Sequence, residues 1–468
     1  MEKRAQYVFL ALVVLMFACK SKTSDKTADS LATDTTNQTE QNLPPADGQD
    51  TASAAATDSS TAPASDKKIA NKKAAKKTDE VKRPVEEKKP AAKKLAGVGT
   101  SIDRNGFTLV NGNRFFPIGI YTGKGPKPGD WGTSDESLQK MSSAGFNTVL
   151  AYTYGDRPNA ADFMNRAKAH GLKVIYSVKD MYSGSAPTAK VKLSSDQLVS
   201  NYVDIVKNSP NLLAWYTNDE LGMDKMALVS SAFQNIRSRD SQHIIFQVNN
   251  QINTLSSFAR TADVIGTDPY VITGNNFGSL KRVTDWTHSA KAAAGSKKGV
   301  WQVVQMFDKK FQKSNLASHP PTADEMRNIA FQSLIAGSKG LMFYAYHWLF
   351  YGPDKKYSEA AFNKRWPDVV QVVREVKNIS PIILQNQIVD IKRTGFAYTQ
   401  YRAWKSGDNL YLMLANTEQK TAANIFTVPA GNWKLKSSVG IPGKLMVAGN
   451  NVRVNLAPLG SGVIILEK

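Results

Sequence analysis

A single cysteine, Cys19, stands in 468 residues, so no internal disulfide can form and any folded part must be held by its core. Histidine is nearly as scarce. The five lie at 170, 243, 288, 319 and 347 without ligand spacing, and no zinc, other metal or cofactor is expected. No glycine-rich loop follows the first apolar strand, which argues against a doubly wound, phosphate-binding sheet. The N-terminal apolar run Tyr7–Ala18 is too short to span a bilayer comfortably. Residues 20–97 hold almost no large apolar side chains, so they cannot bury enough surface to offset chain entropy.

What is present begins with an export pattern. Lys3 and Arg4 precede the apolar run, and Cys19 follows it, as in a secretory signal. Leu15-Met16-Phe17-Ala18-Cys19 looks like a bacterial lipobox. Residues 1–19 therefore read as a lipoprotein signal peptide lipidated at Cys19, the alternative being an ordinary cleaved signal with an incidental cysteine. Residues 20–97 read as a disordered tether, Thr/Ser/Ala-rich and then Lys/Ala-rich, with a root-mean-square span of roughly 50 Å. An exported protein anchored by lipid in the cell envelope is expected.

The whole-chain net charge is +20. Residues 1–97 carry 17 Lys/Arg and 13 Asp/Glu, a net of +4, which leaves +16 on the remainder. Nucleic acid is an implausible partner for an exported lipoprotein. An acidic polysaccharide or the anionic envelope itself fits better.

From residue 98 the pattern becomes regular. Asn111-Gly112 between two apolar stretches reads as a hairpin turn. Apolar strands follow at Pro117–Tyr121, Asn147–Tyr152, Leu172–Val178, Leu212–Thr217, His243–Val248, Asp263–Thr267, Gly299–Gln305 and Gly340–Tyr346. Segments of helical period separate them, among them Ser134–Ala144, Ser195–Lys207, Thr322–Ala336 and Asn363–Asn378. Thr322-Ala323-Asp324-Glu325 is a capping-box signature. Eight such units in about 280 residues predict a (β/α)₈ TIM barrel over 98–380. After it, short strands set apart by Gly/Asn/Ser turns predict a small antiparallel β-sandwich over 381–468.

Barrel sites form at the C-terminal ends of the strands. Those ends offer Tyr121, Tyr152 and Tyr154, Lys179 and Asp180, Asn218-Asp219-Glu220, Asn249, Asp268-Pro269-Tyr270, Gln305 with Asp308 beyond, and Tyr344, Tyr346, His347 and Trp348. Flat rings stack on sugar faces while amides and acids bond hydroxyls, so a carbohydrate ligand is expected. Tyr121, Tyr152, Lys179, Asn218, Asn249, Tyr270, Gln305, Tyr344, Tyr346 and Trp348 are the candidate binding residues. Glu220, Asp219 and Asp268 are the candidate catalytic ones. The plainer alternatives are an ion-paired structural acid at Glu220, a turn-starting Asp268 before Pro269, and core packing for Tyr346 and Trp348.

Ala214–Glu220 at strand four, Asp263–Tyr270 at strand six and Ala336–Tyr344 at strand eight resemble the clan A glycoside hydrolases, especially the family 2-like barrels. The resemblance covers about residues 106–378. It implies an acid/base glutamate closing strand four after Asn, a place taken here by Asp219-Glu220, so Glu220 would carry the proton. It also implies a nucleophilic glutamate at the end of strand seven, where this chain has Gln305. An amide cannot form a glycosyl ester. A second carboxylate would then come from elsewhere, Asp268 first, then Asp308 or Asp180. The expected function is a glycoside hydrolase acting on a polysaccharide or oligosaccharide, with Glu220 raised in pKa by its apolar strand and Asp219. The alternative is a non-catalytic glycan-binding or envelope-scaffold lipoprotein on the same frame.

Overall fold

The structure is a computed structural model that describes residues 99–123, 132–152, 160–182, 194–273, 279–311, 318–441 and 445–468. The stretches read as a signal peptide and a tether, with Cys19, and Tyr154 lie outside the described residues. Among those described, no helix is long and apolar enough to cross a membrane.

Three short antiparallel strands, β1 (Thr100–Ile102), β2 (Thr108–Val110) and β3 (Asn113–Phe115), lead into the barrel. The predicted hairpin joins β2 and β3, with Asn111 and Gly112 at φ 52° and 82°. That is the left-handed pair which a two-residue turn between twisted strands requires.

Eight parallel strands then close on themselves: β4 (Ile118–Thr122), β5 (Thr148–Ala151), β6 (Lys173–Ser177), β7 (Leu212–Asp219), β8 (Ile244–Val248), β9 (Val264–Thr267), β10 (Gly299–Gln305) and β11 (Leu341–Tyr344). Each matches a predicted strand to within a few residues. Closure removes both sheet edges. The interior is filled by Leu150, Ile175, Leu213, Phe246, Trp301 and Met342, so the barrel is a packed core and not a pore.

The helices are α1 (Asp135–Ala144), α2 (Ala160–Ala169), α3 (Lys179–Tyr182), α4 (Ser195–Val206), α5 (Met226–Arg239), α6 (Leu255–Phe258), α7 (Arg282–Ala294), α8 (Ala323–Ala336) and α9 (Glu359–Gln385). Their starts follow the sequence chemistry. Ser134 caps α1, and Ser194–Gln197 and Thr322–Glu325 form reciprocal capping boxes on α4 and α8. The segment after β8 yields only the single-turn α6. Helix α9 continues to Gln385 through Pro367 and Pro381, past the expected end at Asn378.

Beyond it, β12 (Ile388–Val389), β13 (Lys392–Gly395), β14 (Thr399–Ser406), β15 (Asn409–Asn416), β16 (Ala422–Thr427), β17 (Lys434–Val439), β18 (Leu445–Ala448), β19 (Asn451–Leu456) and β20 (Ser461–Glu467) build two antiparallel sheets, in the orders β12-β14-β15-β20-β17 and β13-β16-β19-β18. The stretch 387–393, expected as one strand, divides between the two sheets. Strands β17 and β18 were not anticipated. All six residues of β17 are exposed, so it carries no buried alternation to read. Trp404 and Trp433 are buried, and Tyr401 is half-buried against Phe426, so the sandwich aromatics pack its core.

Barrel and sandwich share a seam along α8, whose residues Glu325–Ala336 are all buried. Asn328 donates to the Asn416 and Leu459 carbonyls at 2.9 and 2.7 Å. Arg327 forks onto Glu375 of α9 at 2.5 and 2.8 Å. The other polar side chains buried along α8 are paired too, Gln332 donating to Asn328 and the Ser333 hydroxyl to the Ile329 carbonyl.

Candidate active site

Strand β7 delivers the acids. Its pairing with β8 slips between Tyr216 and Asn218, and a bulge of this kind re-aims the side chains beyond it. Asn218 then faces Asn249, donating to its Oδ1 at 2.7 Å, and its own Oδ1 accepts the Leu221 N–H at 3.1 Å. These bonds fix a sharp turn in which Glu220 adopts φ 59°. A left-handed glutamate costs about 1 kcal/mol or more and persists because both flanks are tied, the Glu220 N–H donating to the Val248 carbonyl at 2.9 Å.

Asp219 is held from three sides. Tyr216 Oη donates to Oδ1 at 2.5 Å, Tyr152 Oη donates to Oδ2 at 3.0 Å, and Lys179 Nζ lies 2.8 Å from Oδ2. Lys179 reaches it from α3, a helical turn not foreseen from sequence, while lying 4.7 Å over the Tyr152 ring and 3.3 Å from Asp180. Beneath them, Tyr121 Oη approaches Tyr216 Oη at 3.5 Å. Burial pushes the Tyr121 and Tyr216 hydroxyls well up, and the charge of Asp219 adds to it, so both remain protonated donors.

Glu220 is exposed at the mouth, and Asp268, only 4 % exposed, lies close enough to feel its charge. Burial pushes the Asp268 carboxyl well above the usual carboxylate range. The neighbouring Glu220 and then the charge of Asp219 push the same way. Burial and its acidic neighbours therefore favour the protonated form of Asp268.

Rings wall the mouth. Tyr270 and Phe307 meet edge to face at 4.9 Å, Tyr344 packs on both, and Trp348 lies 6.2 Å from Phe307. Burial pushes the Tyr344 hydroxyl up to about 12. Lys309 Nζ sits 4.8 Å over the Tyr270 ring. Arg365 of α9 holds the loops that carry these rings, donating to the Trp348 carbonyl at 3.1 Å and to the Met306 carbonyl. Burial lowers His347 to about 4, so its ring is neutral at pH 7.

The predicted residues thus divide. Glu220, Asp219, Asp268, Tyr121, Tyr152, Lys179, Asn218, Asn249, Tyr270, Tyr344 and Trp348 converge on one mouth. Tyr346 does not: it is 2 % exposed and packs edge-on against Phe350, Phe362 and Trp366 in the outer core. The sharp turn after β11 carries it to the helix side of the sheet, so a sugar platform there is ruled out by burial. Gln305 is also turned inward. Its Oε1 accepts the Ile272 N–H, and its Nε2 donates to the Ile272 and Phe307 carbonyls, each at 3.0 Å. It clamps the loop after β9 and keeps no N–H for a hydroxyl. Asp308 is buried and tied to its own loop through the Lys310 N–H, the Ser318 hydroxyl and Lys310 Nζ. Asp180 is buried beneath Lys179. Sequence reasoning missed Tyr216, Phe307, Lys309 and Arg365. Only Tyr216 left a signal, two residues before Asn218 and so on the same strand face.

The clamp makes Gln305→Glu informative. A carboxylate there would face two carbonyl oxygens, and stability should fall by about 2–4 kcal/mol with no gain in hydrolysis, as read by chemical denaturation beside an activity assay. A stable variant with increased turnover would instead mark position 305 as a nucleophile site.

No protein-family model matches the sequence, and no curated protein matches it. Among solved structures, the chain is similar to a protein described as a glycoside hydrolase, at 15% identity and a TM-score of 0.55, covering 80% of this chain and 97% of that one. It is also similar to a glycoside hydrolase family 5 structure from Bacteroides vulgatus, at 15% identity and a TM-score of 0.53, covering 79% and 94%. At that identity the likeness speaks to the fold: a closed eight-stranded parallel barrel followed by antiparallel sheets.

Proposed function

We propose that this chain is a glycoside hydrolase acting on a polysaccharide or oligosaccharide, with Glu220 as general acid. The observation that carries the reading is the cluster of exposed Glu220, anchored Asp219 and buried Asp268, whose carboxyl is raised, in an aromatic-walled mouth at the strand ends. Exposed Glu220 presents the proton to the glycosidic oxygen as the C–O bond breaks. Asp219, fixed by Tyr152, Tyr216 and Lys179, opposes the positive charge that develops on the sugar ring. Water completes the cleavage and returns a proton to the carboxylates.

Catalytic carboxyls stand about 5–5.5 Å apart in retaining glycosidases and about 6.5–9.5 Å apart in inverting ones. Burial and the nearby charges of Glu220 and Asp219 favour the protonated form of Asp268, so Asp268 is assigned as the proton partner of Glu220 rather than as the second catalytic carboxylate. The amide nitrogen of Asn249 is buried without a hydrogen-bond partner, which suits a sugar hydroxyl. Membership of the family 2-like branch of clan A is supported by the motifs at strands four, six and eight. The basic charge of the folded part favours an acidic glycan.

Incubating the purified chain with neutral and acidic polysaccharides should release new reducing ends. Binding without release would favour the second reading, a glycan-binding scaffold, which Gln305 at the end of β10 motivates. Export and lipid anchoring at Cys19 belong to the same proposal. A fatty-acid probe should label the chain in cells, and Cys19→Ser should lose the label and leave the membrane fraction. Unchanged labelling in that variant would overturn the anchor.

A further inference from the structure

At the far end of the barrel from Glu220, where the strands begin, lies a cavity of about 240 Å³. Several distant segments bring basic side chains to it. Arg104 comes from the loop between β1 and β2, Lys291 from the last turn of α7, and Lys298 from the approach to β10. Lys339 comes from the loop between α8 and β11, and Arg402 from β14 of the sandwich. No acidic side chain lines the cavity among the described residues.

The ordinary reason for basic residues here is the helix dipole. Helices α7, α8 and α9 all end at this wall, at Gly295, Gly337 and Asn386. Each carbonyl end carries roughly half a negative charge, about 1.5 charges in all, against five full positive ones. The dipoles leave most of the cationic charge uncompensated.

Ion pairs do not make up the difference. Among the described residues, Arg402 and Lys291 have no hydrogen-bond or ion-pair partner. Lys339 Nζ lies 4.1 Å over the Phe107 ring, and Lys298 Nζ donates to the Ala262 carbonyl. Arg402 is half-buried, and a guanidinium withdrawn from water without a carboxylate is costly.

We propose that this cavity is an oxyanion site, taking a phosphate or sulfate group either as the free ion or as an ester on a sugar. The planar guanidinium of Arg402 suits two-point binding of such a group, with Lys339 and Lys291 as point charges. The electrostatics agree with the geometry. Burial lowers Lys339 to about 8, and the charges of Arg402, Lys291 and Arg114 lower it further, with Asp103 opposing them. Burial and then Arg402 lower Lys291 in the same way. A bound dianion would relieve each of these repulsions. The site is independent of the proposed hydrolytic mouth.

The test is a titration of the full chain with inorganic phosphate, inorganic sulfate and glucose 6-phosphate, each against potassium chloride at equal ionic strength, read by melting temperature and calorimetry. Phosphate or sulfate should raise the melting temperature saturably beyond the chloride control. Loss of one charge-assisted bond should weaken that binding at least about tenfold in Arg402→Gln. Should Arg402→Gln fail to fold, Lys291→Gln, on the exposed last turn of α7, carries the comparison with the same expectation. Tighter binding of the sugar phosphate than of the free ions identifies the ester, and equal binding identifies the free anion. A response equal to chloride, or affinity unchanged in the folded variants, would overturn the proposal.

Discussion

Glu220→Gln should cut hydrolysis by about 10²–10⁴-fold, the range of a lost general acid, while the melting temperature barely moves. The side chain is exposed, so its replacement removes little packing. The turn is set by Asn218 and by the Glu220 backbone N–H, which the amide leaves intact. What vanishes is the transferable proton. The loss should therefore depend on the leaving group. With an aryl glycoside whose phenolate departs unaided, the variant should recover much of its rate, because protonation no longer limits bond cleavage. A defect equal for both substrate types would point to a binding role for Glu220. Activity within a few-fold of the parent on the natural glycan would overturn the assignment.

The barrel was legible because each unit repeats one rule: a short apolar run, a Gly, Asn or Ser stop, then a helical period. Closure into a ring follows from that repetition. The site was legible only as far as strand ends can be listed. Asp219 and Glu220 are adjacent, and an ideal strand would send them to opposite faces. The slip between Tyr216 and Asn218 decides that Asp219 meets Tyr152, Tyr216 and Lys179 while Glu220 meets Asp268, and no propensity in the sequence announces it. Lys179 was expected from its position, but the α3 turn that swings it onto Asp219 was not. Gln305 shows the opposite failure. A polar residue at a strand end invites a substrate, yet here the loop after β9 needed its amide more. Tyr346 failed for a similar reason, since the turn after β11 packs it against α9. The residue that changed role most, Asp268, was chosen for its position, whereas its chemistry comes from burial, which only the packed structure supplies.

Asp268→Asn should make the protein more stable at neutral pH and less active. In the unfolded chain this carboxyl titrates near 3.8. In the fold, burial first and then the neighbouring Glu220 raise it well above that value. A carboxyl raised in the fold contributes stability that is complete below its unfolded value and is lost as pH climbs through its folded value. The native state of the parent is therefore penalised toward neutral and alkaline pH, with Oδ1 of Asp268 buried and without a partner. Asparagine keeps the shape but cannot ionise. Parent and variant should melt together near pH 3–4, and the variant should gain on the order of 1 kcal/mol or more by pH 7–8. Hydrolysis should fall by about 10²-fold, because Glu220 loses the neighbour with which it shares its proton, and the alkaline limb of the rate profile should move with it. That combination, stabilised yet disabled, is the mark of a site carrying a cost for function. If Asp268→Asn melted below the parent at every pH, the carboxylate would be serving the turn before Pro269, and the proton-sharing pair at the centre of the proposed mechanism would fall with it.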